Sequence, residues 1–202
     1  MSENPVYPVQ SKKQLIMEAG LAVFSQRGFH KAKIEDIAQE AGIGKGTVYE
    51  YFISKEQLFQ EILREGMESF DAAIHERELK EGSSREKLLE LVRQSILLGQ
   101  RYRPLARSVM SEITLFDESF RTWLMQIHYE RLLFIRKIVE EGISRKELRP
   151  INGLLFARLF YGGMGMIVSP YEQTILQDEK IERLAEETVD YYLKGIGVKE
   201  RK

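Results

Sequence analysis

Five closely spaced residues could together form a surface that donates hydrogen bonds to a polar ligand. They are Lys45, Gly46, Thr47, Tyr49 and Tyr51. A lysine can donate to O6 and N7 of guanine, and a threonine can contact the thymine methyl group. Backbone amides at the start of a helix, here those near Gly46, donate readily to phosphate. This set is typical of a surface that binds DNA, although either tyrosine could instead pack in a hydrophobic core.

The sequence around these residues predicts a helix that presents them. In IEDIAQEAGIGKGTVYEYF, residues 34–52, apolar residues recur at helical spacing on both sides of a tight turn. Gly42 ends the first helix, where a residue with positive φ is needed, and Gly44 stands at the N-cap of the second. Val48 and Phe52, one turn apart, form the inward side of that second helix. The pattern predicts a helix-turn-helix, which places its second helix against DNA.

The overall charge does not by itself indicate a nucleic-acid partner. The chain has 202 residues and a formal net charge of −1. Residues 1–55 carry seven Lys or Arg and six Asp or Glu, which leaves +1 in this segment and −2 in the remainder. The argument for DNA therefore depends on where the lysines lie, and five of them lie at or just before predicted helix starts.

The composition is that of an ordinary globular protein, with 43% hydrophobic and 30% charged residues. Because cysteine is absent, the chain has no disulfide, no thiolate nucleophile and no cysteine-ligated zinc. The N-terminal residues lack the apolar run of a signal peptide, and no segment has about 20 consecutive apolar residues. We therefore expect a cytoplasmic protein with no membrane-spanning segment.

Few residues suggest catalysis. The histidines are His30, His75 and His128, and they form no HxxxH pair. The chain also lacks a GxSxG motif and a phosphate-binding glycine loop. We predict that the protein is not an enzyme, and we expect no metal and no cofactor.

Helical periodicity extends along most of the chain, and no stretch alternates with period two for long enough to form a strand. Pro104 suits the first turn of a helix, because its missing amide would be unpaired there anyway. We therefore predict an all-α fold of about nine helices. They lie at residues 12–27, 34–41, 45–52, 54–79, 85–101, 105–115, 117–142, 153–168 and 178–195.

Residues 12–63 resemble the DNA-binding domain of the TetR family of bacterial transcriptional regulators. The resemblance rests on AGLAVF with Gly28 and Phe29 after it, on IxxIAxEAGIGKGTVYEYF and on the SKEQL that follows. Over residues 64–202 only the number and lengths of helices agree. The resemblance implies a homodimer with a three-helix reading head and a C-terminal domain that binds a small molecule. We accordingly expect a flexible arm (1–11), a helix-turn-helix domain (12–55) and a ligand-binding and dimerisation domain (56–202).

The resemblance also implies roles for individual residues of the head. Thr47, Tyr49 and Tyr51 would face the groove, and Lys55 would contact a phosphate. The chain departs from the family where Lys33 replaces a hydroxyl residue and Gly44 replaces a serine, so two side-chain caps are lost. Each loss costs several tenths to about 1 kcal/mol. Gly20, where the family more often has alanine, should loosen the first helix slightly.

Three glycines, Gly162, Gly163 and Gly165, lie inside the predicted helix 154–168. Each costs roughly 1 kcal/mol there relative to alanine, which close approach of another backbone would offset. We interpret this helix and the last one as a dimer interface, in which Leu184, Thr188 and Tyr192 take part. A kinked helix that lines a pocket is the alternative.

The sequence indicates the composition of an effector site and leaves its chemistry open. An apolar cavity could be surrounded by Trp123, His128, Tyr129, Phe160 and Met164, with Arg101 or Glu112 as a polar group. Each of these residues could equally belong to an ordinary core. Aromatic rings with a carboxylate would suit a cationic drug-like compound, whereas an arginine would suit a fatty acid or acyl-CoA.

The sequence therefore predicts a homodimeric DNA-binding transcriptional regulator. We expect a repressor that a small, largely apolar effector releases from a palindromic operator on double-stranded DNA. The alternative is a ligand-binding or scaffold protein whose helix-turn-helix is vestigial, which the two missing caps and the low charge of the head leave open.

Lys33 offers a test of how the head compensates for the missing hydroxyl. If its ammonium group contacts a phosphate, replacing Lys33 with Ser should flatten the slope of log affinity against log salt by about one unit. The measurement is DNA affinity across a salt series, and an unchanged slope would contradict the idea.

Overall fold

The computed structural model describes residues 11–78, 82–111, 116–167 and 175–195. These residues form eight helices and no strand, which confirms the predicted all-α fold. None of the described helices combines the length and the apolar composition needed to cross a membrane. In chain order the helices are α1 Lys12–Lys31, α2 Ile34–Glu40, α3 Lys45–Tyr51, α4 Lys55–Glu78, α5 Ser84–Ser111, α6 Glu118–Ser144, α7 Gly153–Ile167 and α8 Asp178–Lys194.

The helix count differs from the expectation at one place. Two separate helices were predicted around Pro104, and the structure instead has a single helix, α5, that continues through this residue. Proline in a helix interior removes one hydrogen bond and usually favours a break or a kink. Leu105, directly after it, is buried. Burial of Leu105 therefore favours continuation of the helix over the local signal to stop.

Two glycines with positive φ lie where the sequence predicted helix ends, and only one of them ends a helix. Gly28, at φ 74°, interrupts the regular geometry of α1, and one further turn follows it. Gly42, at φ 66°, ends the turn after α2. Both residues adopt the left-handed conformation that carries no steric penalty only in glycine.

The chain divides into two compact units. The first consists of Met1–Glu65 with Pro104–Phe116, and the second of Gly66–Arg103 with Asp117–Lys202. Both α4 and α5 therefore contribute residues to each unit. The domain boundary expected between residues 55 and 56 stays a prediction, since a compact unit and a functional domain are different things.

The core of the first unit is built around aromatic rings. Phe24, Phe29 and Phe59 pack together, with ring centroids 5.0 to 5.8 Å apart. Gly20 lies on the same side of α1, and a Cβ placed there would be 2.9 Å from Cδ1 of Ile62 and 3.3 Å from Cδ2 of Leu58. Gly20 thus permits close approach of α1 and α4, a role beyond the slight loosening that was expected.

The second unit has a separate core formed by α5 to α8 with the second half of α4. Its fully buried members are Phe160 and several small or branched side chains. They include Leu88, Val92, Ile96, Ala157, Ala185 and Val189. At the edge of this core the buried Ser84 begins α5, and its amide donates to Oε2 of Glu147 at 2.7 Å.

Gly142 near the end of α6 faces Ser84, so a substitution at Gly142 tests how tightly α5 and α6 pack there. A Cβ at position 142 would lie 3.0 Å from Cβ of Ser84 and 2.9 Å from Cδ1 of Leu148. Overpacking typically costs 1–3 kcal/mol, and helix propensity returns roughly 1 kcal/mol at most, so we expect Gly142→Ala to lower the free energy of unfolding by about 1–2 kcal/mol.

The measurement is denaturant unfolding of Gly142→Ala, Ser84→Gly and the double variant. If contact with Ser84 causes the loss, the cost of Gly142→Ala should shrink in the Ser84→Gly background. Additive effects of the two substitutions would disprove this explanation.

Candidate functional site

Helix α3 has one buried and one exposed side, as predicted. Val48 and Phe52 are fully buried, which holds the helix against the rest of the first unit. The predicted contact residues Lys45, Gly46, Tyr49 and Tyr51 are exposed, and Thr47 is half-buried. The two tyrosines are thus on the surface and do not belong to the core. The exposed side carries the ammonium, hydroxyl and phenol groups that a base edge or a phosphate requires.

The turn before α3 shows how this helix is aligned. The amide of Ile43 donates to the carbonyl of Ala38 at 3.0 Å, which closes the end of α2. Gly44 occupies the N-cap of α3 and supplies no side-chain hydrogen bond. The expected loss of this cap is therefore confirmed. It leaves the first amides of α3 available for an external acceptor.

The start of α2 is capped from inside the helix. Lys33 occupies the N-cap, and its side chain makes no capping hydrogen bond. The backbone amide of Lys33 instead donates to Oδ2 of Asp36 at 3.2 Å, and the same carboxylate pairs with Arg27 at 2.8 Å. This interaction partly offsets the missing hydroxyl, and Lys33 itself is exposed.

Lys45 is engaged with an acidic neighbour. Its Nζ lies 2.5 Å from Oε1 of Glu35 and 5.7 Å from the ring centroid of Tyr49. The hydrogen bond from Lys45 lowers the pKa of Glu35, and the same bond raises the pKa of Lys45. Both side chains are exposed, so the pair contributes little to stability. Its consequence is local, because it holds a carboxylate beside the group expected to contact DNA.

Lys55 has a structural role that the sequence did not reveal. Its ammonium donates to the carbonyl of Phe29 at 2.8 Å and to that of Ala32 at 3.1 Å. It also lies 4.4 Å from the centroid of the Phe29 ring. An ammonium group has three donor hydrogens, so at most one remains for a phosphate. The predicted phosphate contact at Lys55 is untested and competes with these internal bonds.

The second unit contains a cavity of about 130 Å³. Its walls come from α4, α5, α6 and α7 and are mostly apolar, with three charged side chains and one phenol among them. The lining residues are Phe70, Asp71, Ile74, Leu91, Ile127, Glu130, Arg131, Phe134, Ile135, Tyr161 and Met164. This composition, an apolar wall with a few polar groups, is typical of small-molecule sites.

Arg131 is the centre of the polar groups in this cavity. Its Nε donates to Oδ1 of Asp71 at 2.9 Å, and Nη2 donates to the carbonyl of Met67 at 3.1 Å. Next to it, Nδ1 of His128 and the hydroxyl of Tyr161 share a short hydrogen bond. Burial raises the pKa of Tyr161, and burial followed by the charge of Arg131 lowers the pKa of His128. Both shifts favour the neutral form of the group.

Sequence analysis did not identify Arg131 and Asp71, although the spacing of apolar residues in α6 pointed to Arg131. In α6 the buried residues Leu124, Ile127, Ile135 and Ile138 recur at helical spacing, and position 131 falls on that same stripe. A charged residue on an apolar stripe needs a partner inside the protein. Asp71 directly follows the buried Phe70 of α4 and supplies that partner.

The predicted effector residues are only partly brought together. Met164 lines the cavity, and His128 contacts its wall through Tyr161. Phe160 is buried in the core, while Trp123 packs on Phe120 with ring centroids 5.2 Å apart. Of the remaining predicted residues, Tyr129 and Arg101 are exposed, the latter 5.6 Å from the ring of Tyr102, and Glu112 lies outside the described residues. Among the described residues no group of His, Asp or Glu could hold a metal ion.

Two of the predicted dimer residues lie on an exposed apolar stripe of α7. The large side chains of this stripe are Leu155, Leu159 and Met166, exposed by 53%, 59% and 70%, and α8 has the exposed Tyr191, at 60%. Gly162 and Gly165 lie among them, and no described atom is within 4 Å of a Cβ placed at either.

The other four predicted dimer residues have contacts within the chain itself. The ring of Tyr192 packs against Gly163, where a Cβ would lie 3.4 Å from its Cζ. The hydroxyl of Tyr192 donates to the carbonyl of Leu159 at 2.9 Å. Leu184 and Thr188 are half-buried, and the Thr188 hydroxyl donates to the carbonyl of Leu184 at 2.7 Å. The participation of these residues in a dimer stays a prediction.

Comparison with known proteins agrees with this geometry. Residues 16–62 match the family model for bacterial regulatory proteins of the tetR family. The fatty acid metabolism regulator protein of Bacillus subtilis is 25% identical over 175 residues, which cover 86% of this chain and 89% of that protein.

Two solved structures share the fold. FadR from Bacillus subtilis in complex with stearoyl-CoA has a TM-score of 0.72 and 23% identity, covering 91% of this chain and 98% of its own. AibR in complex with isovaleryl coenzyme A and operator DNA has a TM-score of 0.71 and 21% identity, covering 91% and 98%.

Glu35 provides a test of the exposed side of α3. We expect Glu35→Gln to raise the affinity for duplex DNA several-fold at low salt, because Lys45 loses its internal partner and one carboxylate leaves the surface. The measurement is duplex binding at several salt concentrations. Glu40→Gln removes another exposed carboxylate of α2 and is the matched control. An equal gain in both variants would show that only net charge matters.

Proposed function

Since the chain belongs to the TetR family of bacterial transcriptional regulators, we propose that it acts as a homodimeric repressor in the cytoplasm. It binds a palindromic operator and leaves it when a small, largely apolar effector binds the second unit. The relatives are transcriptional regulators, and we assign no catalytic role to this chain.

The observation that carries the proposal is that α3 has one buried side and one exposed polar side. Its buried residues Val48 and Phe52 fix the helix, and its opposite side presents polar groups at the surface. In the helix-turn-helix class this side enters the major groove. We propose contacts from Lys45, Thr47, Tyr49 and Tyr51, from the amides near Gly46, and from Lys33 and Lys55 to phosphates.

The cavity of the second unit supports an acyl ligand over a cationic one. Its walls are apolar, and its most buried charged group is the guanidinium of Arg131. An arginine in an apolar site suits a carboxylate or a phosphate. The relatives named for fatty acid metabolism and for acyl-CoA complexes are consistent with this choice. We therefore propose a fatty acid or acyl-CoA as the effector.

We assign dimerisation to the exposed apolar stripe of α7 together with α8. Exposed apolar side chains concentrated on one side of α7 mark an interaction surface, and α8 adds the exposed Tyr191. Two copies of α7 and α8 would form a four-helix bundle around the open glycines Gly162 and Gly165. Binding to successive major grooves requires two recognition helices about 34–36 Å apart, one from each protomer.

Release from DNA requires that the effector bind one state of the dimer more tightly. A near-complete switch needs a difference of about 5.5 kcal/mol between the two states. Helix α4 supplies Phe70, Asp71 and Ile74 to the cavity, and its first residue, Lys55, is bonded within the first unit. We propose that a change in the packing of α4 carries the signal.

The test is selection of bound duplexes from a random pool by the purified protein, followed by affinity measurements across a salt series. We expect a two-fold motif with half-sites one helical turn apart and a steep salt dependence. Leu159→Glu, which places a charge on the proposed interface, should lose the two-fold motif. Leu97→Glu, at an exposed leucine of α5, is the control and should keep it.

Recovery of no motif at low salt without added ligand would count against a repressor. It would favour the alternative of a ligand-binding protein with a vestigial head. A motif that survives Leu159→Glu would contradict the assigned interface while leaving DNA recognition intact.

A further inference from the structure

Taking the cavity as the effector site, which rests on the function proposed above, we infer that the Arg131–Asp71 ion pair is a latch opened by an anionic head group. The carboxylate or phosphate of the effector replaces Asp71 as the partner of Arg131. The exchange releases α4 from α6.

Arg131 fastens one helix to another through three contacts. It belongs to α6, and it pairs with the side chain of Asp71, donates to the carbonyl of Met67 and packs on the ring of Phe70 at 4.4 Å. All three partners belong to α4. These contacts fix α4 where it forms one wall of the cavity.

The cavity must widen before it can hold an amphipathic ligand. Its volume is about 130 Å³, whereas sites for small molecules usually measure roughly 300–1,000 Å³. Phe70, Asp71 and Ile74 of α4 form the wall that Arg131 holds in place. Widening on this side therefore separates Asp71 from Arg131.

Separating Arg131 from Asp71 costs more free energy at Arg131, because Arg131 is the more deeply buried of the two. The side chain of Arg131 is 13% exposed and that of Asp71 is 31% exposed. Asp71 can regain water when α4 moves, but Arg131 stays mostly buried, with the neutral hydroxyl of Tyr161 beside it, and needs another charged acceptor. A carboxylate or phosphate on the ligand supplies it, and its two oxygens match the fork of the guanidinium. A neutral or cationic ligand gives Arg131 no anionic partner in place of Asp71.

The other polar groups around the cavity do not offer an anion a better partner. Glu130 is exposed, and its Oε1 accepts from Nε2 of Gln126 at 2.9 Å, so solvent screens its repulsion. His128 and Tyr161 are paired with each other. Arg131 is therefore the residue that selects the charge of the ligand.

The experiment compares three probes with the same dodecyl chain and different heads, namely dodecanoate, dodecan-1-ol and dodecyltrimethylammonium. Calorimetric titration of the full chain below micelle concentrations measures their affinities. We expect the wild type to bind dodecanoate at least about 10-fold more tightly than either other probe, because only dodecanoate forms a charged hydrogen-bonded pair with Arg131.

Variants of the latch separate its two members. Arg131→Met should reduce dodecanoate binding to the level of dodecan-1-ol, while Arg131→Lys, which keeps the charge, should retain part of the preference. Asp71→Asn should raise dodecanoate affinity about 10-fold, because the competing carboxylate is gone. Glu182→Gln breaks the ion pair with Arg93, whose 2.6 Å contact lies outside the cavity lining, and should change nothing.

A second measurement reports on α4 directly. Hydrogen exchange of residues 66–74 should speed up when dodecanoate binds the wild type, and also in Asp71→Asn without ligand. Exchange in α4 that is unchanged in both cases would overturn the latch.

Tighter binding of dodecyltrimethylammonium, an unchanged preference in Arg131→Met, or no binding of dodecanoate would each overturn the inference. These failures leave selection of a DNA motif unaffected. Conversely, a preference for dodecanoate that depends on Arg131, in a protein that selects no motif, would uphold the latch and reject the repressor function.

Discussion

A cation withdrawn from water must keep acceptors, and this constraint fixes helix α4 at two places. In the first unit, Lys55 at the start of α4 donates to two carbonyls at the end of α1 and lies over the ring of Phe29. In the second unit, Arg131 of α6 holds Asp71 and the carbonyl of Met67 while it packs on Phe70. Each cation has an aromatic ring on one side and oxygen acceptors on the other.

These contacts hold α4 in place and still allow its packing to change when a ligand binds. Breaking a buried ion pair is costly when one charge is left without a partner, and much less costly when another group replaces the partner that leaves. Exchange of one acceptor for another alters the packing of α4 without leaving a charge unpaired. The internal partners of Lys55 are backbone carbonyls, which no ligand of the second unit replaces, so the two attachments of α4 respond differently.

Ion pairs on the surface expected to contact DNA are weaker than those that hold α4, because their groups are exposed and screened by water and salt. Lys45 pairs with Glu35 at the surface, so breaking this ion pair costs little free energy. The start of α3 has no side-chain cap. At the start of α2 the amide of Lys33 donates to the carboxylate of Asp36. Binding strength at this surface is thus set by interactions that water and salt can replace.

The sequence by itself determined the all-α class, the helix-turn-helix and the two sides of α3. These features depend on helical periodicity and on glycines with positive φ such as Gly42, which are local properties of the chain. Only the tertiary structure decided that α5 continues through Pro104, that Lys55 is bonded internally, and that Arg131 meets Asp71 across 60 residues of sequence. The reason is that a continued helix, a buried cation and its acceptor depend on which distant residues pack together, and periodicity does not record that.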